Sequence, residues 1–198
     1  MTQITQLEND ESRRKKVTYA TPTTAEQNRG STPAETFDTK EYRRAMGVFP
    51  TGVAIITTRD VSAEPVGLTC NSFTSVSLEP PLVLWSMRKA SKSIEIFRET
   101  QSFAINVLAQ DQDHLSHRFA TSSIEKKFES VAWTSGYLDL PLIDHCMAQF
   151  QCTIFSKHDA GDHIIFIGKV ERFEAVRESS SLVFYKGTYM MLAQAQHL

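Results

Sequence analysis

Apolar and polar residues along this chain are arranged mainly in short runs that are typical of β-strands. Residues 53–58 are β-branched and nearly all apolar, which predicts a buried strand. Residues 66–77 alternate loosely and predict a second strand with a loop inside it. Further strands are predicted at residues 82–85, 102–108, 147–155 and 163–173, with two short ones within 182–192.

Helical patterns are fewer and shorter. Asp38 and Glu41 form an N-terminal capping signal before apolar residues at helical spacing, and this helix must end by Pro50. Residues 91–100 and 111–120 predict two more short helices, and a capping signal at residues 122–125 predicts a further turn. Since strands and helices do not alternate, the pattern favours a closed or partly closed antiparallel β-barrel with peripheral helices.

The first 36 residues differ in composition from the rest. They are polar and contain the basic cluster 13–16, which directly follows acidic residues and has no interleaved aromatic residues. This composition is typical of a solvated tail rather than a nucleic-acid site. We therefore predict a flexible tail or an interface arm at residues 1–36, followed by one folded domain at residues 37–198.

Composition and charge exclude several classes of function. The chain has 198 residues, of which 41% are hydrophobic and 22% charged, and a formal net charge of −2. These values favour one globular domain without a basic field for nucleic acid. No apolar run approaches the roughly 18 residues that span a membrane, and we expect no signal peptide. The three cysteines form no Cys-x-x-Cys pair, so we expect a cytoplasmic protein.

No metal site is predicted. His114 and His117 lie three residues apart on a predicted helix, but no compelling third ligand accompanies them. The glycine pattern of dinucleotide-binding folds is absent, and residues 47–52 have the glycine spacing of a P-loop without its Lys and Ser or Thr. A nucleotide would therefore need another kind of site.

Two stretches offer that kind of site through clustered donors. Thr69, Asn71, Ser72, Thr74 and Ser75 follow one another closely in a predicted loop. A second set follows the next strand, where a predicted helix N-terminus also favours anions: Ser86, Arg88, Lys89, Ser91, Lys92 and Ser93. From spacing alone, solvated polar strand ends explain these residues equally well.

Three segments together carry a family resemblance. They are FPTGVAIITT at 49–58, GLTCNSFTSVSLEPP at 67–81 and GDHIIFIG at 161–168. In this order they resemble the short-chain flavin reductase family, the reductase components of two-component flavin monooxygenases. The resemblance extends from about Phe37 to Leu192. It implies a mainly β fold, a split antiparallel barrel of the FMN-binding, Greek-key type, and a homodimer with the flavin near the subunit interface.

The resemblance also implies roles for individual residues. His163 would lie over the flavin and help to receive the nicotinamide nucleotide, as a positioning and electrostatic group rather than a general base. Residues 50–53 would line one edge of the flavin ring, mainly through backbone atoms, and residues 69–74 would cover its pyrimidine side and ribityl chain. The implied cofactor-binding residues are Pro50, Thr51, Gly52, Val53, Thr69, Asn71, Ser72, Phe73, Thr74, Ser86, Ser91, Lys92, Ser93, Arg118, Phe119, Tyr185 and Tyr189.

The function implied is NAD(P)H-dependent reduction of FMN or FAD, with reduced flavin released to a separate oxygenase. The nicotinamide nucleotide is NADH or NADPH, and the sequence does not distinguish the two. The alternative is a flavin-binding electron carrier or storage module of the same fold without a productive nicotinamide site. A third and weaker alternative is a reductase that acts on a metal-bound cofactor. The joint presence of the flavin-loop pattern and residues 161–163 favours the flavin reductase.

Overall fold

Twelve β-strands and three α-helices form the described part of the computed structural model, residues 37–176 and 180–192. The predicted tail at residues 1–36 lies outside these residues. The helices are α1 (Thr39–Met46), α2 (Ile94–Glu99) and α3 (Asp113–Thr121). The strands are β1 (Thr51–Gly52), β2 (Ala54–Arg59), β3 (Pro65–Cys70), β4 (Thr74–Leu78), β5 (Pro81–Arg88), β6 (Ser102–Val107), β7 (Trp133–Ser135), β8 (Pro141–Ile143), β9 (Ala148–Ala160), β10 (His163–Ala175), β11 (Val183–Tyr185) and β12 (Thr188–Met190).

One antiparallel sheet of seven strands, in the order β3-β2-β6-β9-β10-β5-β4, dominates the structure. Strands β3 and β4 are its two edges, yet only residues 71–73 separate them in the chain. A flat sheet of seven strands is about 28 Å wide, whereas a link of this length spans at most about 14 Å. The sheet must therefore curl until its two edges approach each other, as in a barrel.

The core inside this curled sheet is aromatic. Trp85 of β5 stacks on Phe166 of β10 with ring centroids 4.4 Å apart, and Phe97 of α2 meets the Trp85 ring edge-on at 5.3 Å. All three side chains are fully buried. Aromatic side chains bury large apolar areas, so this cluster fixes β5 and β10 as neighbours and holds α2 against them.

Helix α3 packs against edge strand β3 through a contact that only glycine permits. A Cβ atom placed on Gly67 would lie 2.7 Å from Cε1 of Phe119, whose ring is fully buried. Gly67 does not have a positive φ, so close approach alone explains the glycine. The Lys127 ammonium donates to the Gly67 carbonyl at 2.9 Å and joins the segment after α3 to the same point of β3.

Two smaller sheets complete the fold. Strands β1, β11 and β12 form a three-stranded sheet, and β7 and β8 form a hairpin.

Helix α1, considered by itself, begins after Asp38, whose carboxylate accepts the Lys40 backbone N–H at 2.7 Å, as the capping signal predicted. Within the described residues, no helix is both long and apolar enough to cross a bilayer.

The predicted strands and short helices are largely confirmed, with three differences. The strand predicted at 66–77 is two strands, β3 and β4, on opposite edges of the sheet. Strands β9 and β10 are longer than predicted because each has two partners over part of its length. The β7–β8 hairpin was missed, since its strands have only three residues each and no clear alternation.

Replacing Gly67 with Ala should lower the free energy of unfolding by about 1–3 kcal/mol, because the new methyl group overpacks against the Phe119 ring. The matched control is Gly52→Ala in β1, where an added Cβ meets nothing within 4 Å. Chemical denaturation of both variants measures the difference. Equal stability of the two variants would contradict the close packing of α3 on β3.

Candidate functional site

A cavity of about 370 Å³ lies where β3, β5, α3 and the start of β10 come together. It joins the hydroxyl-rich loop, the end of β5 and His163, which lie far apart in the sequence. Two other cavities, of about 390 and 650 Å³, lie beside β9 and β10 and contain none of the predicted site residues. The residues that line the first cavity are Leu68, Thr69, Cys70, Asn71, Ser72, Ser86, Met87, Arg88, Ser91, Phe119, Ala120 and His163.

The Ser72 hydroxyl joins the hydroxyl-rich loop to β5. Its Oγ accepts the Ser86 backbone N–H at 2.9 Å and lies 3.3 Å from the Ser86 carbonyl oxygen. The β4–β5 register pairs Thr74 with Leu84, so Ser72 stands opposite Ser86 two residues further along. The side chain therefore continues the ladder beyond the end of β4, and this bond shapes one wall of the cavity.

Cys70 lies beside this hydroxyl as a buried thiol. Its Sγ is 3.1 Å from the Ser72 Oγ. Burial raises the pKa of the Cys70 thiol, so the group stays protonated near neutral pH. A protonated thiol is a poor nucleophile, and Cys70 therefore acts here as a small packing residue.

A chain of hydrogen bonds connects three elements on the opposite wall. The Thr69 hydroxyl donates to the Ser116 carbonyl at 2.5 Å, and the Ser116 Oγ lies 2.8 Å from the Tyr189 hydroxyl. Ser116 is fully buried on α3, and Tyr189 belongs to β12. The chain holds the small sheet beside the cavity and positions Tyr189 next to α3.

The first predicted segment reaches the site through Asn71. The Asn71 side-chain amide donates to Thr51 Oγ1 at 3.4 Å, which links the hydroxyl-rich loop to β1. Pro50 and Gly52, on either side of Thr51, are exposed. Their backbone groups are therefore accessible to a ligand at this end of the molecule.

His163 stands at the mouth of the cavity as the first residue of β10. Its Nδ1 lies 2.7 Å from the Asp162 carboxylate, and 37% of its side chain is exposed. The hydrogen bond to His163 is the largest of the effects that lower the pKa of Asp162, which therefore remains a carboxylate. In the part of the chain that the structure describes, Nδ1 is the ring nitrogen that is bonded, and Nε2 makes no hydrogen bond.

Several predicted site residues do not line this cavity. Val53 and Phe73 pack into hydrophobic clusters, so their side chains serve the core. Ser93 is buried before the six-residue helix α2, and Thr74 and Lys92 are exposed outside the cavity lining. Arg118 donates to the Glu129 carbonyl. Tyr185 lies half-buried on β11 under the Lys186 ammonium and does not line the cavity.

Sequence reasoning missed some residues of the site. Leu68, Met87 and Ala120 line the cavity, but each is an apolar position within a strand or helix and gave no chemical signal. Ser116 and Lys127 are buried polar residues that position the walls. Burial lowers the pKa of Lys127, and no local pattern in the sequence distinguishes it from a solvated lysine.

The lining suits a flat ring with a polar chain. Apolar contacts come from Leu68, Met87 and Phe119, while hydroxyl, amide and guanidinium groups surround them. This donor set fits a flavin with its ribityl chain and phosphate. Across residues 37–176 and 180–192, no group of three or more His, Cys, Asp or Glu side chains is arranged to hold a metal ion.

Comparison with known proteins gives consistent matches. A family model described as flavin reductase like domain matches residues 46–193. The chain is 39% identical over 160 residues to the reductase subunit HsaB of a flavin-dependent monooxygenase from Rhodococcus jostii, with 81% of each protein covered. It is 41% identical over 152 residues to the FMN reductase (NADH) SmoA from Agrobacterium fabrum, covering 77% of this chain and 85% of the relative. Two further curated relatives are longer, and the chain spans 45% and 50% of their lengths.

A solved structure agrees with these matches. The NADH:FAD oxidoreductase SgcE6 from Streptomyces globisporus, in complex with NAD and FAD fragments, superimposes with a TM-score of 0.75 at 35% identity. The match covers 79% of this chain and 94% of that structure. The family resemblance and the mainly β fold class are thereby confirmed.

Replacing Ser72 with Ala should lower the free energy of unfolding by about 1 kcal/mol without any ligand, because the Ser86 N–H loses its acceptor. The matched control is Ser75→Ala, an exposed position on the neighbouring strand β4. Thermal or chemical unfolding of both variants measures the effect. Full stability together with weaker flavin binding would show instead that the hydroxyl serves the ligand.

Proposed function

Since this chain belongs to the flavin reductase like domain family, we propose that it is an NAD(P)H:flavin oxidoreductase that acts on FMN or FAD. The observation that carries the proposal is the cavity that joins the hydroxyl-rich loop to His163. Flavin-binding donors and a candidate nicotinamide-positioning residue share this one space. A flavin carrier or storage module needs the flavin-binding donors but does not need a residue that positions a nicotinamide.

Thr69, Asn71, Ser86 and Ser91 would hold the flavin from the polar side of the cavity, while the buried Phe119 ring supports the wall behind it. Backbone groups of residues 50–53 would add contacts at the β1 end. Tyr189 supports this arrangement through its bond to Ser116. The backbone of these segments is fixed by strand pairing and by the Ser72 bond, so the site is formed before a ligand arrives.

A bound flavin supplies the hydride acceptor at its N5 atom. The protein must align the nicotinamide with that acceptor and exclude water, since hydride transfer needs no protein acid at that moment. His163 meets this need as a positioning group because Asp162 fixes its ring. Its Nε2 would contact the polar carboxamide or ribose of the nicotinamide nucleotide.

We propose further that reduced flavin passes to a separate oxygenase and that the protein works as a cytoplasmic homodimer. The first part rests on relatives named as monooxygenase reductase subunits or components. The second part is supported by two exposed apolar side chains on the long strands β9 and β10, Phe155 and Phe173, which would suit a surface for a second subunit. Sedimentation of the purified protein tests the dimer.

The function is tested by mixing purified protein with a nicotinamide nucleotide and excess free flavin, and following absorbance at 340 nm. NADH and NADPH are each combined with FMN and with FAD. A catalytic fall in absorbance that depends on the flavin supports the reductase. Tight flavin binding without turnover in all four combinations would favour the carrier. A further reaction with a metal-bound acceptor is run beside them, and turnover with that acceptor alone would favour the third alternative.

Replacing His163 with Ala should slow the reduction of bound flavin about a hundredfold, because a misplacement of reacting rings by about 1 Å has a cost of this size. Flavin affinity and stability should be unchanged. Anaerobic stopped flow measures the bleaching of the flavin, and reoxidation by dioxygen should be much less affected because the nicotinamide takes no part in it.

The matched control is His158→Ala on the adjacent strand β9. His158 is an exposed histidine whose Nε2 bonds to the Ser156 hydroxyl, and it does not line the cavity. This variant should reduce flavin at the normal rate. Loss of flavin from His163→Ala would make His163 a flavin ligand, and a normal reduction rate would make it structural.

A further inference from the structure

We propose that Arg88 binds phosphate oxygens of the nicotinamide nucleotide and sets the affinity for that substrate. The inference rests on the proposed reductase function and extends it to a residue that the family resemblance does not assign. Arg88 is the last residue of β5, it is exposed, and it lines the cavity. Three observations support the assignment: its position beside His163, the absence of a partner for its guanidinium among the described residues, and the engagement of Lys89, Arg118 and Lys127 by other groups.

The position of Arg88 follows from strand register. In the β5–β10 pair, Arg88 stands directly opposite His163. Directly opposite residues in an antiparallel pair have Cα atoms about 4.5–5.5 Å apart. The Lys89 backbone N–H donates to the Asp162 carbonyl at 2.8 Å, which fixes the turn before β10 against the end of β5. Arg88 and His163 therefore face the same cavity from adjacent strands on a rigid support.

Three cations of the segments that form the cavity are already engaged by the protein. Lys89 forms a salt bridge with Asp159 at 3.1 Å. Arg118 and Lys127 donate to the backbone carbonyls of Glu129 and Gly67. In residues 37–176 and 180–192, Arg88 forms no salt bridge and its guanidinium makes no hydrogen bond. Lys92 is exposed as well, but it does not line the cavity.

The acidic groups near Arg88 are also engaged. Asp162 accepts the hydrogen bond of His163, and Asp159 pairs with Lys89. Among the described residues, Arg88 forms no salt bridge with Asp162, and the Asp162 pKa is lowered mainly by its hydrogen bond to His163. The guanidinium is therefore available for an external anion. Its planar fork of N–H donors matches two phosphate oxygens at once, which a lysine cannot do.

Two nucleotides could supply the phosphate, and position favours the nicotinamide nucleotide. The donors expected to serve the flavin lie along Thr69–Ser72 and at Ser91, whereas Arg88 adjoins His163 on the β10 side. A nucleotide whose nicotinamide ring lies at His163 has its pyrophosphate within reach of the neighbouring strand. The substrate phosphate would thus bind beside the ring that must be aligned.

The test compares wild type with Arg88→Gln and Arg88→Lys in steady-state kinetics. Arg88→Gln should raise KM for the nicotinamide nucleotide about tenfold, the effect of losing a charge-assisted hydrogen bond. Arg88→Lys should have an intermediate KM, because it keeps the charge and loses the fork. The rate of flavin reduction at saturating nucleotide should be unchanged. The rise is expected for NADH and NADPH alike if Arg88 binds the pyrophosphate, and for NADPH alone if it binds the 2′-phosphate; either result supports the proposal.

Phosphate-free ligands separate the two sources of phosphate. Reduced nicotinamide riboside should react equally well with wild type and Arg88→Gln, since it has no phosphate to lose. The dissociation constants of FMN and riboflavin should be the same in both proteins. Weaker binding of FMN, with riboflavin unaffected, would overturn the proposal and assign Arg88 to the flavin phosphate. An unchanged KM for both nicotinamide nucleotides would also overturn it.

The matched control is Arg98→Gln, which removes the same charge from an exposed arginine of α2 that pairs with Glu95 at 3.4 Å. This variant should have the wild-type KM. A KM that rises equally in Arg98→Gln and Arg88→Gln would indicate a long-range electrostatic effect instead of a direct contact with phosphate. If the wild-type protein oxidises neither nucleotide with any flavin, the proposed function fails. If the wild type is active and Arg88→Gln behaves as wild type, only this inference fails.

Discussion

The structure depends most on one constraint, the short link of residues 71–73 between the two edge strands of the main sheet. A link of three residues cannot cross a flat sheet of seven strands, so the sheet has to curl. Curling places the end of β3 beside the end of β5. The cavity opens at this junction, and the loop that forces the closure also supplies part of the lining.

Several polar groups of the site also hold its walls together. Ser72 bonds across to Ser86, and Thr69 bonds to the Ser116 carbonyl. The hydroxyl-rich loop therefore has a structural role even without a ligand. Its side chains bond to backbone N–H and C=O groups that the strand pairing of the curved sheet leaves unpaired. Among residues 37–176 and 180–192, neither the Arg88 guanidinium nor Nε2 of His163 has a hydrogen-bond partner, and both residues lie on the β5–β10 side.

The sequence contained enough local information to predict most strands, the small number of short helices and the three motif segments. β-branched runs and capping residues act within a few positions, so their effect can be read without knowing the fold. Of the predicted site residues, Thr69, Asn71, Ser72 and His163 line one cavity, and their roles in binding stay a prediction. For the hydroxyl-rich loop, spacing alone left a ligand site and solvated strand ends equally acceptable. The family resemblance favoured the ligand site and named flavin as the ligand.

The tertiary structure decided the use of each side chain. Val53 and Phe73 belong to motif segments but pack in the core, and Ser93 is buried beside α2. Ser116 and Lys127 carry no local signal, yet they position the cavity walls through contacts with residues far away in the chain. Such contacts depend on sheet order and register, which local propensity does not encode. The sequence by itself determined most of the strand segments and which segments carry donors. Only the closure of the sheet decided which donors meet, because residues distant in the chain become neighbours only when its two edges approach.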